Sequence, residues 1–426
     1  MTTYKTPPVP HDPTTKIVLQ TSAGKIDIAR FQKLFVSVYF ACAAGALANI
    51  LSAFGNDGES AGPLYQLIWG FLFVLSIPLI ISANVKFVSR RELIALSFGL
   101  YVLLSTFMTS NPASNFAYAS SFLFNLGFAI ACARVLGLRT TFKILCKTLN
   151  ILVAISIFLY FAGFKNAIYF DAIDRSSIIG LVPAQGIFSH KIYAGLYSAL
   201  SLALNLTLFS RAKRLYLCAM SLALILLSGS SIGLLAGLSV LFCAILLPQV
   251  FKKTYGAIIA TVVTLLIVIS GTIAFMHIDV VFSVLGRDLS LTGRTKLWEI
   301  GASYIGERPI FGWGYGGIFD DSAFFLRRFS AFEYYRAPHF HNGLIQICAE
   351  NGALGLLLFS AIGVAFLRNC RRALSLVHPP TAYLPVMIGV VFVIGLSVMN
   401  IGSRYNELMT IVFFIVAVAG KRQIAK

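Results

Sequence analysis

The chain has 426 residues, of which 58% are hydrophobic and only 12% charged, with a mean hydropathy of +0.83. An apolar share that far above the roughly even share of soluble domains excludes an ordinary water-soluble enzyme and reads as a polytopic membrane protein. The formal charge of +18 would suit a nucleic-acid binder, but the positions of the basic residues argue for a topology signal and no nucleic-acid partner.

Residues 1–30 are rich in Thr, Pro and Lys and lack the apolar stretch of a cleavable signal peptide, so they read as a flexible cytoplasmic tail ahead of a single helical membrane domain over 31–426. Apolar runs of about 17 to 25 residues, the length a helix needs to cross hydrocarbon, then recur to the C-terminus. They predict about twelve spans, the count following from this length criterion: 31–53, 64–82, 92–109, 116–133, 148–164, 192–209, 215–229, 232–248, 255–276, 343–367, 382–399 and 405–420. Most of the 34 Lys and Arg fall on one side of this pattern, among them Arg90, Arg91, Arg134, Lys213, Arg372 and Arg422. The short connections 54–63, 110–115 and 230–231 carry none, which predicts a membrane protein with both termini inside. All seven cysteines fall in spans or cytoplasmic loops of this topology, so no disulfide framework or cysteine metal site is expected.

Two exported segments are long: 165–191, and 277–341 between the ninth and tenth spans. Long loops in compact proteins usually have a function. These two contain His190, Lys191, Arg287, Arg294, Arg308, Arg336, His339 and His341, and with Arg404 they hold the basic residues placed against the topology bias. Within the larger one, Leu297, Trp298, Ala302 and Ile305 recur at helical spacing until Arg308-Pro309. That predicts an amphipathic helix lying on the membrane surface, with Trp298 and Tyr304 at headgroup level. Gly312, Gly314, Gly316 and Gly317 then imply a tight turn.

Three motif matches fail on context. "GSSIG" at 229–233 has no preceding strand to make a nucleophile elbow, and Gly229, Gly233 and Gly237 instead suggest a ridge for close helix packing. "GWGYGG" follows a helix, unlike a dinucleotide loop. His339 and His341 have no third ligand at metal-binding spacing, and neither metal nor cofactor is expected.

An exported cationic pocket at membrane level suits a substrate with a lipid tail and an anionic head, and a lipid pyrophosphate has both. Arginines grip phosphate oxygens through paired charge-assisted hydrogen bonds and keep their charge at physiological pH. His341 lies near the first turn of span 343–367, where the positive end of the helix dipole keeps the ring neutral and able to accept a proton. As a general base it would give a pH–rate profile with an ionisation between about 5 and 8. Glu350, on the helix face opposite His341, reads as a partner for buried polar groups.

"TGRTKLWEIGASYIGERPIFGWGYG" followed by "HFHNGLIQICAENGALG" resembles the signature of the O-antigen ligase and Wzy-type polysaccharide polymerase superfamily, particularly its ExoQ-like exopolysaccharide polymerase branch. "GIFSHKIYAG" (186–195) and "NIGSRYNEL" (400–408) resemble two further elements of that family. The resemblance implies a GT-C-like all-α membrane enzyme, independent of metal, that transfers glycan from undecaprenyl pyrophosphate at the periplasmic face with inversion. It also implies His341 as base and Arg294 as phosphate-contacting arginine. By position, Arg287, Arg336, His339, Asn342, His190 and Lys191 complete a substrate pocket. A flippase and a chain-length regulator are the expected partners beside the bilayer and the lipid-linked glycan. A ligase that hands finished glycan to a lipid A core needs the same donor pocket. A lipid-linked oligosaccharide transporter is the rival from another class, distinguished by keeping its function without His341.

Overall fold

The computed structural model describes residues 20–21, 24–25, 28–54, 63–83, 88–170, 180–250, 294–319, 339–377 and 380–425. The chain is mostly helical, as expected. In the expected tail, Gln20–Thr21 pairs antiparallel with Gly24–Lys25, a short departure from an all-α chain. The predicted span 255–276 and the site candidates Arg287 and Arg336 lie outside the described residues.

The first predicted span is broken. Helix α1 (Ile28–Ala43) and α2 (Ala46–Phe54) meet at 62°, and the corner is Gly45 at φ +89°, where an added Cβ would meet Ser189 Oγ at 2.9 Å. The side-chain amide of Asn49 on α2 donates to the Phe188 carbonyl at 2.7 Å, tying this half-span to the loop ahead of the next bundle. Helices α3 (Pro63–Ser82), α4 (Arg90–Ser105) and α5 (Pro112–Ala131) follow close to their predicted limits. The connection expected over 134–147 is instead a wide turn at 132–136 and the beginning of α6 (Gly137–Phe161), so Arg139, Lys143 and Lys147 ride on helix.

Helices α7 (Lys191–Leu208), α8 (Arg211–Leu227) and α9 (Ser231–Val250) form a packed group, with α12 (Leu384–Leu396) against α7 and α9. Gly195 and Gly233 let α7 and α9 approach until a Cβ on Gly233 would lie 2.5 Å from the Gly195 Cα. The expected ridge is therefore partly corrected: Gly233 and Gly237 face neighbouring helices, but Gly229 turns the chain between α8 and α9 at φ +58°. Polar side chains join α6, α7 and α8, with the Asn150 and Asn205 amides exchanging hydrogen bonds of 2.8 and 2.9 Å. Such pairs satisfy amides that hydrocarbon would leave unpaired.

Among the described residues, five helices are long and apolar enough to cross a membrane, or six if the bent α1–α2 pair is one span. This count takes α5 and α6, two of the predicted spans, as one continuous helix of 50 residues, does not include the predicted span 255–276, and passes over helices that protein shields. Helix α7 carries Lys191, Ser198, Ser201 and Asn205 yet is almost wholly buried by neighbours, and α13 (Leu408–Val418) is short and buried at every position. Helices shielded by protein can be more polar or shorter than those facing lipid.

The two ends of the bundle differ. At one end Arg134 meets Glu92 with N···O of 2.5 Å, and Arg91 and Arg372 both donate to Asn369 Oδ1 at 3.0 Å. The other end of α4 meets the glycine turn described next.

Candidate active site

Helix α10 (Arg294–Glu307) stops before Arg308-Pro309 as predicted. Its side chains expected at headgroup level contact protein instead. Tyr304 is fully buried, the Trp298 indole N–H donates to the Phe340 carbonyl at 3.1 Å, and Gly301 sits where a Cβ would meet Ile345 at 2.5 Å. The helix is a wall packed against α11 (Gly343–Leu376), which holds Arg294 close to the histidine turn.

The glycine turn after α10 closes on a break in α11. Gly352 has φ +61° and ψ −165°, so the helix cannot continue its own hydrogen bonds there. The turn replaces them. Trp313 and Gly314 N–H donate to the carbonyls of Ala349 and Glu350 at 3.0 and 2.8 Å, while Ala353 and Leu354 N–H donate to Pro309 and Ile310 at 2.8 and 3.2 Å. A Cβ on Gly352 would lie 2.2 Å from the Ile310 oxygen, and one on Gly312 would lie 2.4 Å from the Glu350 carbonyl. Buried Glu350 completes the joint: its Oε1 accepts from Gly316 N–H at 3.1 Å and from Gln346 Nε2 at 2.7 Å. Gln346 Oε1 in turn accepts from Phe340 N–H at 3.1 Å. The structural role read for Glu350 agrees with these bonds.

The histidine turn is therefore fixed from below. Asn342 caps α11, its Oδ1 accepting from Leu344 and Ile345 N–H at 3.0 and 3.1 Å, so this oxygen is occupied by the helix. His341 has φ +52°, rare for a side chain of its size, and its N–H donates to His339 Nδ1 at 3.0 Å. The two rings lie 4.2 Å apart. Because Nδ1 of His339 accepts, its neutral ring carries the proton on Nε2. Nδ1 of His341 is buried and has no hydrogen-bond partner among the described residues. Burial first, then the positive charges of Arg294, His190 and Arg404, lower the His341 pKa to about 4. His339 is held well below its usual value by burial and by His341, Arg404, Arg294 and His190. The neutrality expected of His341 is met, but by burial and neighbouring cations, and the ionisation expected between about 5 and 8 is displaced below that window in the ligand-free protein.

His190 caps α7, its Nδ1 accepting from Ile192 N–H at 3.1 Å with Nε2 2.9 Å from the Tyr169 hydroxyl. The Lys191 ammonium lies 4.5 Å over the Tyr169 ring. Arg294, His190, His339 and His341, separated by as many as 151 positions in the chain, are thus neighbours.

The sequence marked Arg404 as a basic residue against the topology bias without giving it a role in the site. Its guanidinium donates to the Tyr193 hydroxyl at 3.1 Å, on a turn held by the Tyr315 hydroxyl, which donates to the Ser403 carbonyl at 3.0 Å. Arg404 lines two cavities that share it with Tyr118 and Tyr405. One, of about 360 Å³, also has His339, Glu350 and Tyr315 in its wall. The other, of about 480 Å³, opens toward Tyr193 and the α1–α2 corner. The available signal was a basic residue in a short turn that the charge pattern predicts to be exported.

A family model described as O-antigen ligase matches residues 215–360, the stretch that contains α10, the glycine turn and the histidine turn. The exopolysaccharide production protein ExoQ of Rhizobium meliloti (strain 1021) is 23% identical over 360 residues, covering 78% of this chain and 77% of that protein.

Proposed function

We propose, from the match of residues 215–360 to the O-antigen ligase family and the similarity to an ExoQ protein over most of the length, that the chain polymerises undecaprenyl-pyrophosphate-linked repeat units at the periplasmic face of the bacterial inner membrane. The observation behind this reading is a neutral, partly buried His341 with the cations Arg294 and Arg404 as neighbours, next to His339, which with Arg404 lines a cavity.

In the proposed reaction an acceptor sugar hydroxyl attacks the anomeric carbon of the donor. The new C–O bond forms as the bond from that carbon to the pyrophosphate oxygen breaks, giving inversion. The hydroxyl proton passes to the free imidazole nitrogen of His341, and the electron pair of the broken bond leaves on the lipid pyrophosphate. Arg294 and Arg404 stabilise that growing charge through charge-assisted hydrogen bonds, strongest where water is excluded. His339 acts as a positioning residue, because its Nδ1 holds the His341 backbone in the strained turn. No step draws on a metal or cofactor.

The test is polysaccharide length in a deletion strain complemented with wild type, His341→Ala or Arg294→Ala at equal protein levels. Loss of polymer, with single repeats retained on their carrier, is the expected result. Unchanged polymer removes both residues from the chemistry and favours a transporter. Long polymer stranded on undecaprenyl pyrophosphate changes the reading from polymerase to ligase.

A further inference from the structure

The cavity of about 480 Å³ on the far side of Arg404 has no role in the chemistry above, yet its wall is unusual for a membrane domain. It contains Tyr65, Trp69, Tyr118 and Tyr193 with Gln66 and Ser120, and not one Leu, Ile, Val or Met. Helix α3 shows that this is a sorting of side chains and not a shortage. It turns Leu67, Phe71, Val74 and Ile81 outward, each at least 60% exposed, while Trp69 lies inside, 1% exposed. The Trp69 indole N–H is buried with the Tyr65 hydroxyl as a polar neighbour but makes no hydrogen bond of good geometry among the described residues. A polyprenyl tail would be met by branched aliphatic side chains and would offer no polar partner to that N–H or to the Gln66 amide. A sugar ring matches both halves of the lining: its C–H face lies against aromatic rings, and its hydroxyls serve as donors and acceptors to the polar groups. The volume falls in the range of about 300 to 1,000 Å³ usual for small-ligand sites.

We infer that this cavity is a carbohydrate subsite, which seats a sugar unit of the glycan with Arg404 between it and the histidine cavity. The inference rests on the proposed glycan transfer and adds the place where the saccharide is recognised. The bend at Gly45 is part of the device, because Ala44, Gly45 and Ala48 form one side of the cavity and a straight first span would leave no such corner.

The full chain in lipid nanodiscs is titrated with the oligosaccharide released by mild acid from the producing strain's lipid-linked repeat units, with binding read by saturation-transfer NMR. Wild type and His341→Ala should both bind. Tyr65→Phe and Gln66→Ala, which should elute as folded protein, should bind at least tenfold more weakly, and undecaprenyl phosphate should not displace the sugar. Absence of binding by wild type, unchanged binding by both variants, or displacement by undecaprenyl phosphate would each overturn the subsite, the last making it a lipid-tail site. Elongation of intact lipid-linked repeats is measured separately. If the sugar binds as stated but wild type elongates nothing, the polymerase reading falls and the subsite stands.

Discussion

His341 holds a left-handed backbone at φ +52°, a conformation that costs a side chain of its kind roughly 1–2 kcal/mol. The cost is offset by the bond to His339, and it aims the ring at the cations. Its protonation gives a prediction whose sign follows from geometry. A base must be neutral, and in the ligand-free protein the ring is neutral above about pH 4. The free-enzyme profile, kcat/KM, should therefore be flat through neutral pH and fall only as pH drops toward 4. Bound pyrophosphate favours imidazolium and raises that pKa, so the acid limb of kcat should lie at higher pH than the limb of kcat/KM. Coincident limbs, or a rate that rises on acidification, would remove His341 as the base. Arg404 carries a second prediction at this scale. Arg404→Ala should lower kcat roughly 100- to 1,000-fold, as the loss of one charge-stabilising donor does, with Arg404→Lys recovering part. Full activity of the alanine variant in the same assay would leave Arg404 as a mere partner of Tyr193. His341 and Arg294 were legible in the sequence because they sit in a motif with helix signals around them. Arg404 was not, because its meaning depends on Tyr193 from a helix more than two hundred residues away.

Among the elements, the joint between the glycine turn and the broken α11 explains why the two halves of the motif belong together. Each glycine was legible as a turn residue. That their donors fill the gap left by Gly352 was not, since a hydrogen bond between 313 and 349 leaves no local pattern. The same limit applies to α10. Its amphipathic spacing was read as facing headgroups, whereas the apolar stripe faces Phe340 and Ile345 on another element. Periodicity identifies a buried face without saying what buries it. Gly352→Ala places a Cβ against the Ile310 carbonyl at a positive φ and should destabilise the protein by about 1–3 kcal/mol, read as a lowered Tm in detergent with loss of polymer. Gly363→Ala, on the same helix with open space around it, should leave Tm unchanged. Equal Tm for wild type and Gly352→Ala would mean that the joint does not hold the site.

For the whole molecule, the charge pattern predicts an orientation that the fold makes testable. The basic residues assigned inside converge at one end, where Arg91 and Arg372 share Asn369 and Arg134 meets Glu92. The candidate site lies at the other end of the same helices, where the Tyr101 hydroxyl of α4 donates to the Phe311 carbonyl and the Ser105 hydroxyl accepts from Tyr315 N–H. A positive-inside bias acting on the first set fixes the side of the second, so no independent signal is needed to place the site. Asn111, in the turn between α4 and α5 and in the wall of the smaller cavity, reports the site end. Lys213, exposed near the start of α8, reports the basic end. In a variant with all seven cysteines replaced, Asn111→Cys should react with a membrane-impermeant maleimide on intact spheroplasts, and Lys213→Cys only after permeabilisation. The reverse labelling would put the histidine turn in the cytoplasm, where exported glycan cannot reach it, and would overturn the proposed polymerisation together with the orientation.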